Sequence, residues 1–270
     1  MPGFISIGQN KPTPDILSAA GTRSAGRKIV KPLFTLCYTL RFWILITILS
    51  IVLGVMAIVA GFIDSSGNTT HKIASLWSRL LCRWNNVEVE IIGLENVLKN
   101  QSQIFVSNHQ GYFDIFTLTG FLPLQFRWVA KSSLFRIPFL GWAMKSAKYL
   151  PVVLGNRKKS YQAFIKIRKS IRQGNSVIIF PEGTRSADGT IGPFKKGGQL
   201  LATQSGVPVV PVTLIGSWNI MRKGSMTIYP GPVKIIFSHP MKLNSSSSEP
   251  GERSFEEIRK TICNNMAFYS

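Results

Sequence analysis

From Phe42 to Ile63 the chain reads FWILITILSIVLGVMAIVAGFI, with no charged residue and hardly a polar one. Roughly 20 apolar residues in a helix cross the hydrocarbon core of a bilayer. A core helix of a soluble domain is rarely apolar on every side at this length. A signal peptide has a shorter apolar stretch and a small-residue cleavage site, which Gly61-Phe62-Ile63-Asp64 does not supply. The run therefore predicts a membrane-inserted helical segment at 42–63. Arg23, Arg27, Lys28, Lys31 and Arg41 precede it, and the positive-inside tendency then leaves the N-terminus cytoplasmic. Lys72, Arg79 and Arg83 make the other flank basic too. Two topologies fit: a single crossing or, if Leu33–Leu40 joins the run, a hairpin bent at Gly54 that returns both flanks to one side.

Residues 1–41 form the expected basic tail, whose first 31 residues carry Gly, Pro, Ser and cations without apolar periodicity and suit anionic headgroups. After a polar linker, Ile73, Leu76, Trp77, Leu80 and Leu81 share one helical face between His71 and Trp84, which suits an interfacial helix and an ordinary surface helix equally. From Val87 onward short runs rich in Val, Ile and Phe alternate with helical patterns. Strands are expected at Val87–Ile92, Ile104–Ser107, Phe126–Ala130, Leu150–Leu154, Val177–Phe180, Val209–Leu214, Thr227–Tyr229 and Val233–Phe237. Helices are expected at Ile115–Leu122, Pro138–Ala147, Lys158–Gln173 and Lys195–Ser205. Alternation of this kind means an α/β domain, a mixed sheet flanked by helices, over 71–240. Tyr229-Pro230-Gly231-Pro232 reads as a turn joining the last two strands. Residues 241–270 supply a Ser-rich loop and a closing helix at Phe255–Met266.

Charge narrows the partner. Lysine and arginine number 32 against 12 acidic residues, and the resulting +20 predicts nucleic acid, an anionic membrane or phosphorylated substrates. The cations are spread along the chain and no helix-turn-helix, zinc or ribonucleoprotein signature appears, so nucleic acid is not expected. Cys37, Cys82 and Cys263 have no metal-ligand spacing. No metal is expected, and a disulfide framework is disfavoured, which points to a reducing compartment.

Four segments carry candidate chemistry. Asn108-His109-Gln110-Gly111-Tyr112-Phe113-Asp114 follows the apolar run Ile104–Val106 directly. Five helical positions turn through roughly 500°, so His109 and Asp114 would not share a face of one regular helix. With His109 in the loop before the helix, the Asp114 carboxylate reaches one ring nitrogen and leaves the other to take a proton from a hydroxyl. A lone histidine beside a strand more often does no chemistry. Phe180-Pro181-Glu182-Gly183-Thr184-Arg185-Ser186 also follows a strand and offers backbone N–H groups, a hydroxyl and a guanidinium to an anion. Its plain alternative is a surface turn with Glu182 paired to a lysine. Phe194-Lys195-Lys196-Gly197-Gly198 opens a helix, as an aid to an anion site or simply as a solvated helix start. In Val207-Pro208-Val209-Val210-Pro211-Val212 the prolines disfavour a central strand, so an edge or a groove wall is expected. A serine hydrolase is not expected: there is no Gly-x-Ser-x-Gly elbow, and Ser107 precedes His109 too closely to be its nucleophile.

The order of these four segments and the spacing between them, over Val87 to Pro240, is similar to the glycerolipid acyltransferase family, and most of all to its 1-acylglycerol-3-phosphate acyltransferases. Trp128-Val129-Ala130-Lys131 and Leu134-Phe135-Arg136-Ile137-Pro138-Phe139-Leu140-Gly141 resemble the family's intervening segment. The resemblance implies a membrane enzyme, on the cytoplasmic face, that moves an acyl group without metal, cofactor or covalent intermediate. Its co-substrate would be acyl-CoA or acyl-carrier protein, and its acceptor the sn-2 hydroxyl of lysophosphatidic acid. It further implies His109 as general base and Asp114 as its orienter. Glu182, Gly183, Thr184 and Arg185 fall on the glycerol-phosphate motif, and Lys131 on a position near the acceptor. One segment departs. In Tyr149-Leu150-Pro151-Val152-Val153-Leu154-Gly155-Asn156-Arg157, Leu154 stands where the family has an arginine for the acceptor phosphate. Arg157 either substitutes for it or faces solvent. The departure leaves room for another lysophospholipid or a lyso-ornithine lipid as acceptor.

Overall fold

The computed structural model describes residues 32–153, 155–243 and 251–269. The N-terminal tail 1–31, Leu154 and most of the Ser-rich loop lie outside them. In chain order the elements are α1 (Pro32–Ile63), α2 (Asn68–Trp84), β1 (Val87–Ile92), β2 (Ile104–Ser107), α3 (Phe113–Phe121), β3 (Phe126–Lys131), α4 (Leu140–Ser146), β4 (Leu150–Val152), α5 (Arg157–Arg172), β5 (Ser176–Ile179), α6 (Lys196–Gln204), β6 (Val209–Ile215), α7 (Ser217–Ile220), β7 (Gly231–Phe237) and α8 (Gly251–Tyr269).

The seven strands form one mixed sheet in the order β1-β7-β6-β2-β5-β3-β4. Only the β6–β7 pair is antiparallel. The short apolar runs read as strands buried on both faces. In β2, Ile104 and Val106 pack with Ile167 and Ile171 of α5, Leu201 of α6 and Ile258 of α8. Phe105 between them packs on the other side with Leu118 of α3 and Met144 of α4. From β2 the chain leaves through α3 to β3, beyond β5; from β5 it leaves through α6 to β6, on the other side of β2. Two adjacent parallel strands thus send their chains to opposite sides, and a crevice opens at their carboxyl ends, where open α/β sheets bind ligands.

Four expectations need correction. The apolar helix starts at Pro32, ten residues before 42, so 32–41 is helix rather than tail. It also continues through Gly54 as one uninterrupted helix, so the chain does not turn back there. A Cβ at Gly54 would lie 3.2 Å from that of Phe139, and one at Gly61 would lie 2.7 Å from that of Ser146. These glycines let α1 approach α4. The chain reverses only after Ile63, so the hairpin partner of α1 is α2, which packs between α1 and α3 as a helix of the domain. Along its whole length α1 buries Tyr38, Phe42, Leu49, Leu53, Ala57 and Ala60 against the domain, and exposes Leu40, Ile44, Ile48, Val52 and Val59 on the other side. Among the described residues it is the one helix long and apolar enough to cross a membrane.

Thr227–Tyr229 is not a strand, and Tyr229–Pro232 is not a hairpin turn, because β7 pairs with β6 directly. The segment instead runs beneath α1: Ile228 is buried and its N–H donates to Thr39 Oγ1, while Tyr229 N–H donates to the Ile220 carbonyl. Val209–Val212 lies in the middle of the sheet rather than at an edge, despite Pro211. Val209 exchanges backbone hydrogen bonds of 2.8 Å with Met241, and the ladder with β7 resumes at Val212↔Phe237. The register slips by one residue in between. Pro211 sits at this irregular step, its carbonyl accepting from Ser238 N–H at 2.9 Å, and such a step tolerates a residue without an N–H.

At the opposite end of the strands, His71 of α2 is buried with Nδ1 2.9 Å from the Tyr149 hydroxyl and its ring edge-on to Phe126. Burial, and then the nearby Arg127 guanidinium, push its pKa from 6.5 down to about 4. Between those values the unfolded chain takes up a proton that the folded chain refuses. Stability is therefore lost as pH falls from 6.5 towards 4, by up to about 3 kcal/mol. Chemical unfolding of wild type and His71→Gln over that range should show a steeper loss in the wild type; parallel curves would remove His71 as the cause.

Candidate active site

The crevice is built on the loops that follow β2 and β5. Asn108 locks the first loop to β6: its side-chain amide donates to the Leu214 carbonyl at 2.9 Å and its carbonyl accepts from Leu214 N–H at 2.8 Å. His109 comes next, in the loop and not in the helix. Its N–H donates to Glu182 Oε1 at 2.8 Å, and its carbonyl accepts from Ser186 N–H at 2.7 Å. The backbone of His109 is thereby held on both sides by the loop after β5. The imidazole stacks on Phe180 with ring centroids 3.9 Å apart and 9° between planes, and Phe180 stacks in turn on Trp128.

Asp114, in the first turn of α3, is fully buried. Its Oδ2 lies 2.6 Å from His109 Nδ1 and accepts from the N–H groups of Gln110 and Gly111 at 2.7 and 3.0 Å. Its Oδ1 accepts from the Ser217 hydroxyl. Lying at a helix N-terminus, the carboxylate has its acceptor positions filled by this set of donors. It fixes the imidazole with the proton on Nδ1, so Nε2 is the basic nitrogen; the side chain keeps 16% exposure. Gly111 has a steric reason to be glycine, since a Cβ there would lie 2.6 Å from the Ser217 carbonyl oxygen.

The second loop begins as a tight turn. Gly183 N–H donates to the Phe180 carbonyl at 3.0 Å, with Pro181 and Glu182 at the central positions. Gly183 has φ 69°, and a Cβ there would lie 2.9 Å from Lys195 Nζ. Glu182 is buried, and both carboxylate oxygens face inward, to His109 N–H and to Gly192 N–H at 2.9 Å. Burial raises its pKa, and those two hydrogen bonds offset the shift in part. Arg185 sits over the Tyr112 ring, Cζ 3.5 Å from the centroid, and among the described residues its buried Nη1 has no hydrogen-bond partner. Thr184 is exposed beside it. Lys195 sits at the N-cap of α6, its N–H bonded to the Pro181 carbonyl.

The structure thus brings His109, Asp114, Glu182, Gly183, Thr184, Arg185 and Lys195 to one end of β2 and β5. Lys131 is exposed at the carboxyl end of β3, and Arg157 is the exposed first residue of α5 after β4; both are at the same end of the sheet. Sequence reasoning missed Ser217, Asn108, Phe180 as a stacking partner and Tyr112. Ser217 directly follows the β6 run and a glycine, a weak local sign, but its partner is 103 residues away. Among the described residues no serine oxygen bonds the His109 ring: Ser217 donates to Asp114, and Ser107 Oγ donates to the Asn108 carbonyl.

A histidine nitrogen left free to accept, beside a loop that bears Arg185 at a sheet switch point, suits deprotonation of a hydroxyl on a phosphorylated substrate. Residues 88–215 match the model of the family described as Acyltransferase. The chain is similar to 1-acyl-sn-glycerol-3-phosphate acyltransferases. It is 38% identical over 173 residues to a chloroplastic one of Brassica napus, covering 63% of this chain and 50% of that protein. It is 30% identical over 176 residues to one of Pseudomonas aeruginosa, covering 64% and 65%. The chain spans about half the length of the chloroplastic relatives it matches. The crystal structure of the 1-acyl-sn-glycerophosphate (LPA) acyltransferase PlsC from Thermotoga maritima superposes with TM-score 0.77 at 25% identity, covering 88% of this chain and 96% of that one.

Proposed function

We propose that this protein is a membrane-bound O-acyltransferase that moves a fatty acyl group from acyl-CoA or acyl-carrier protein to the sn-2 hydroxyl of 1-acylglycerol-3-phosphate, forming phosphatidic acid. The observation that carries this reading is the His109–Asp114 pair held by backbone hydrogen bonds to the loop that bears Arg185. His109 Nε2 takes the hydroxyl proton as the oxygen attacks the thioester carbonyl carbon. The C–S bond of the tetrahedral intermediate then breaks, and the leaving thiolate receives the proton from the imidazolium, which Asp114 has stabilised. Arg185 holds the acceptor phosphate, with Thr184, Gly183 N–H and Lys195 around it. Glu182 fixes the loop. Lys131 and Arg157 supply further positive charge at the rim. No metal or other cofactor takes part in this scheme. The exposed apolar side of α1 supports residence at a membrane; because its other side is buried against the domain along its whole length, α1 and the domain lie together on one face, and cations at both ends of the apolar segment support the cytoplasmic one.

The test is release of free thiol from acyl-CoA by the purified chain in detergent, with and without lysophosphatidic acid. Release that requires the lysolipid supports transfer; release indifferent to every lysolipid, lyso-ornithine lipid included, would mean a hydrolase. Arg185→Ala is expected to raise KM for lysophosphatidic acid about 10- to 100-fold, the loss of one charge-assisted contact to phosphate, with a smaller change in kcat. An unchanged KM would take Arg185 out of the acceptor site.

A further inference from the structure

The amino ends of β3 and β4, opposite the catalytic crevice, border a cleft of about 620 Å³ between the α1–α2 turn and the last turns of α5. Arg127, Lys148, Lys166 and Lys169 line it together with Ser66 and Asn68, and among the described residues no carboxylate lines it. Four cations around one depression repel each other and call for an anion. Arg127 is the informative one. It is only 2% exposed, its Nη2 donates to the Ser66 carbonyl and Asn68 Oδ1 at 3.0 and 2.7 Å, its Nη1 donates to the Phe126 carbonyl at 3.1 Å, and among the described residues its buried Nε has no hydrogen-bond partner. The guanidinium is thus locked in place by the turn while part of its donor capacity is unused. Lys148 stands at the rim with φ 58°, a backbone conformation that disfavours a long side chain. Asp64 is near enough for its charge to act on Arg127, but its oxygens are taken up by the N–H groups of Ser66 and Thr69 and the Ser66 hydroxyl, and it does not line the cleft.

We propose that this cleft is a second phosphate site, separate from the catalytic crevice, that takes a phosphomonoester presented by a lipid headgroup or by a small soluble phosphate. The lipid source has its own support. Phe62 and Ile63, 86% and 84% exposed, end the apolar α1 immediately before the turn that lines the cleft. Acyl chains against those residues would bring a headgroup to the cations.

The experiment uses the full chain. Lys166→Ala/Lys169→Ala removes two cleft lysines. Lys158→Ala/Lys159→Ala removes the same charge from the same helix outside the cleft. Co-sedimentation is measured with phosphatidylcholine vesicles with and without phosphatidic acid, and thermal stabilisation with glycerol 3-phosphate. The cleft variant is expected to bind phosphatidate-containing vesicles about tenfold less tightly while the control variant stays close to wild type. Acyl transfer in detergent, unchanged in both, shows that each is folded. If vesicle binding is equal in all three but glycerol 3-phosphate stabilises wild type and control and not the cleft variant, the site stands and its ligand is soluble. Equal weakening of vesicle binding in both variants, or no difference between them with either probe, overturns the proposal.

Discussion

His109→Ala is expected to lower kcat/KM for acyl transfer by about 10³-fold, the range lost when a positioned general base is removed. The substitution is well suited to isolate chemistry from folding. The hydrogen bonds that fix this loop use the N–H and carbonyl of residue 109, not its ring, and alanine keeps both. What disappears is the imidazole stacked on Phe180 and the partner of Asp114 Oδ2, which retains the Gln110 and Gly111 N–H groups and the Ser217 hydroxyl. A variant that melts near the wild-type temperature and binds lysophosphatidic acid normally, yet releases no thiol, would establish the base. A fall of less than about tenfold would show that another group takes the proton.

Asp114→Asn is expected to cost about as much, and mainly in kcat. The carboxylate accepts hydrogen bonds only, and four donors converge on it from His109, Gln110, Gly111 and Ser217. An amide brings two hydrogens of its own. Whichever way it flips, one oxygen position becomes an N–H that meets a donor, and if it meets His109 the ring must shift its proton to Nε2, the nitrogen that should be basic. The imidazolium of the proposed reaction also loses the negative charge hydrogen-bonded to its Nδ1. Wrong tautomers of this kind lower turnover by about 10⁴ in serine proteases. Because both Asp114 oxygens are engaged by His109, Gln110, Gly111 and Ser217 and not by the loop that bears Arg185, KM for the lysolipid should change little; a rise in KM with kcat preserved would mean that Asp114 serves binding, not the base. Some loss of stability, about 1–3 kcal/mol, accompanies the mismatched donor and is read from unfolding curves.

What was legible in the chain was local. The strands β2 and β5 stand out because burial on both faces demands unbroken Val, Ile and Phe, and His109, Asp114 and the Gly183 turn lie within a few residues of a strand end. Ser217 and the Asn108–Leu214 clamp were not legible, since their partners are 103 and 106 residues away and only the sheet order joins them. Pro211 misled because proline reports a missing donor and says nothing of where the ladder slips. Thr227–Tyr229 looked like a strand because Ile228 is buried, but its burial comes from α1, an element nearly two hundred residues earlier in the chain. Gly54 suggested a bend because glycine marks both flexibility and close approach, and the approach of Phe139 decides between them.

The cross-links between the two active-site loops carry one more consequence. His109 N–H on Glu182 and Ser186 N–H on the His109 carbonyl join His109 to the loop that bears Arg185, which restricts the spacing between the two loops. In the proposed reaction that spacing works as a ruler. It reads how many bonds separate an acceptor's hydroxyl from its phosphate, and a lysolipid of the wrong span would dock by its headgroup and still fail to react.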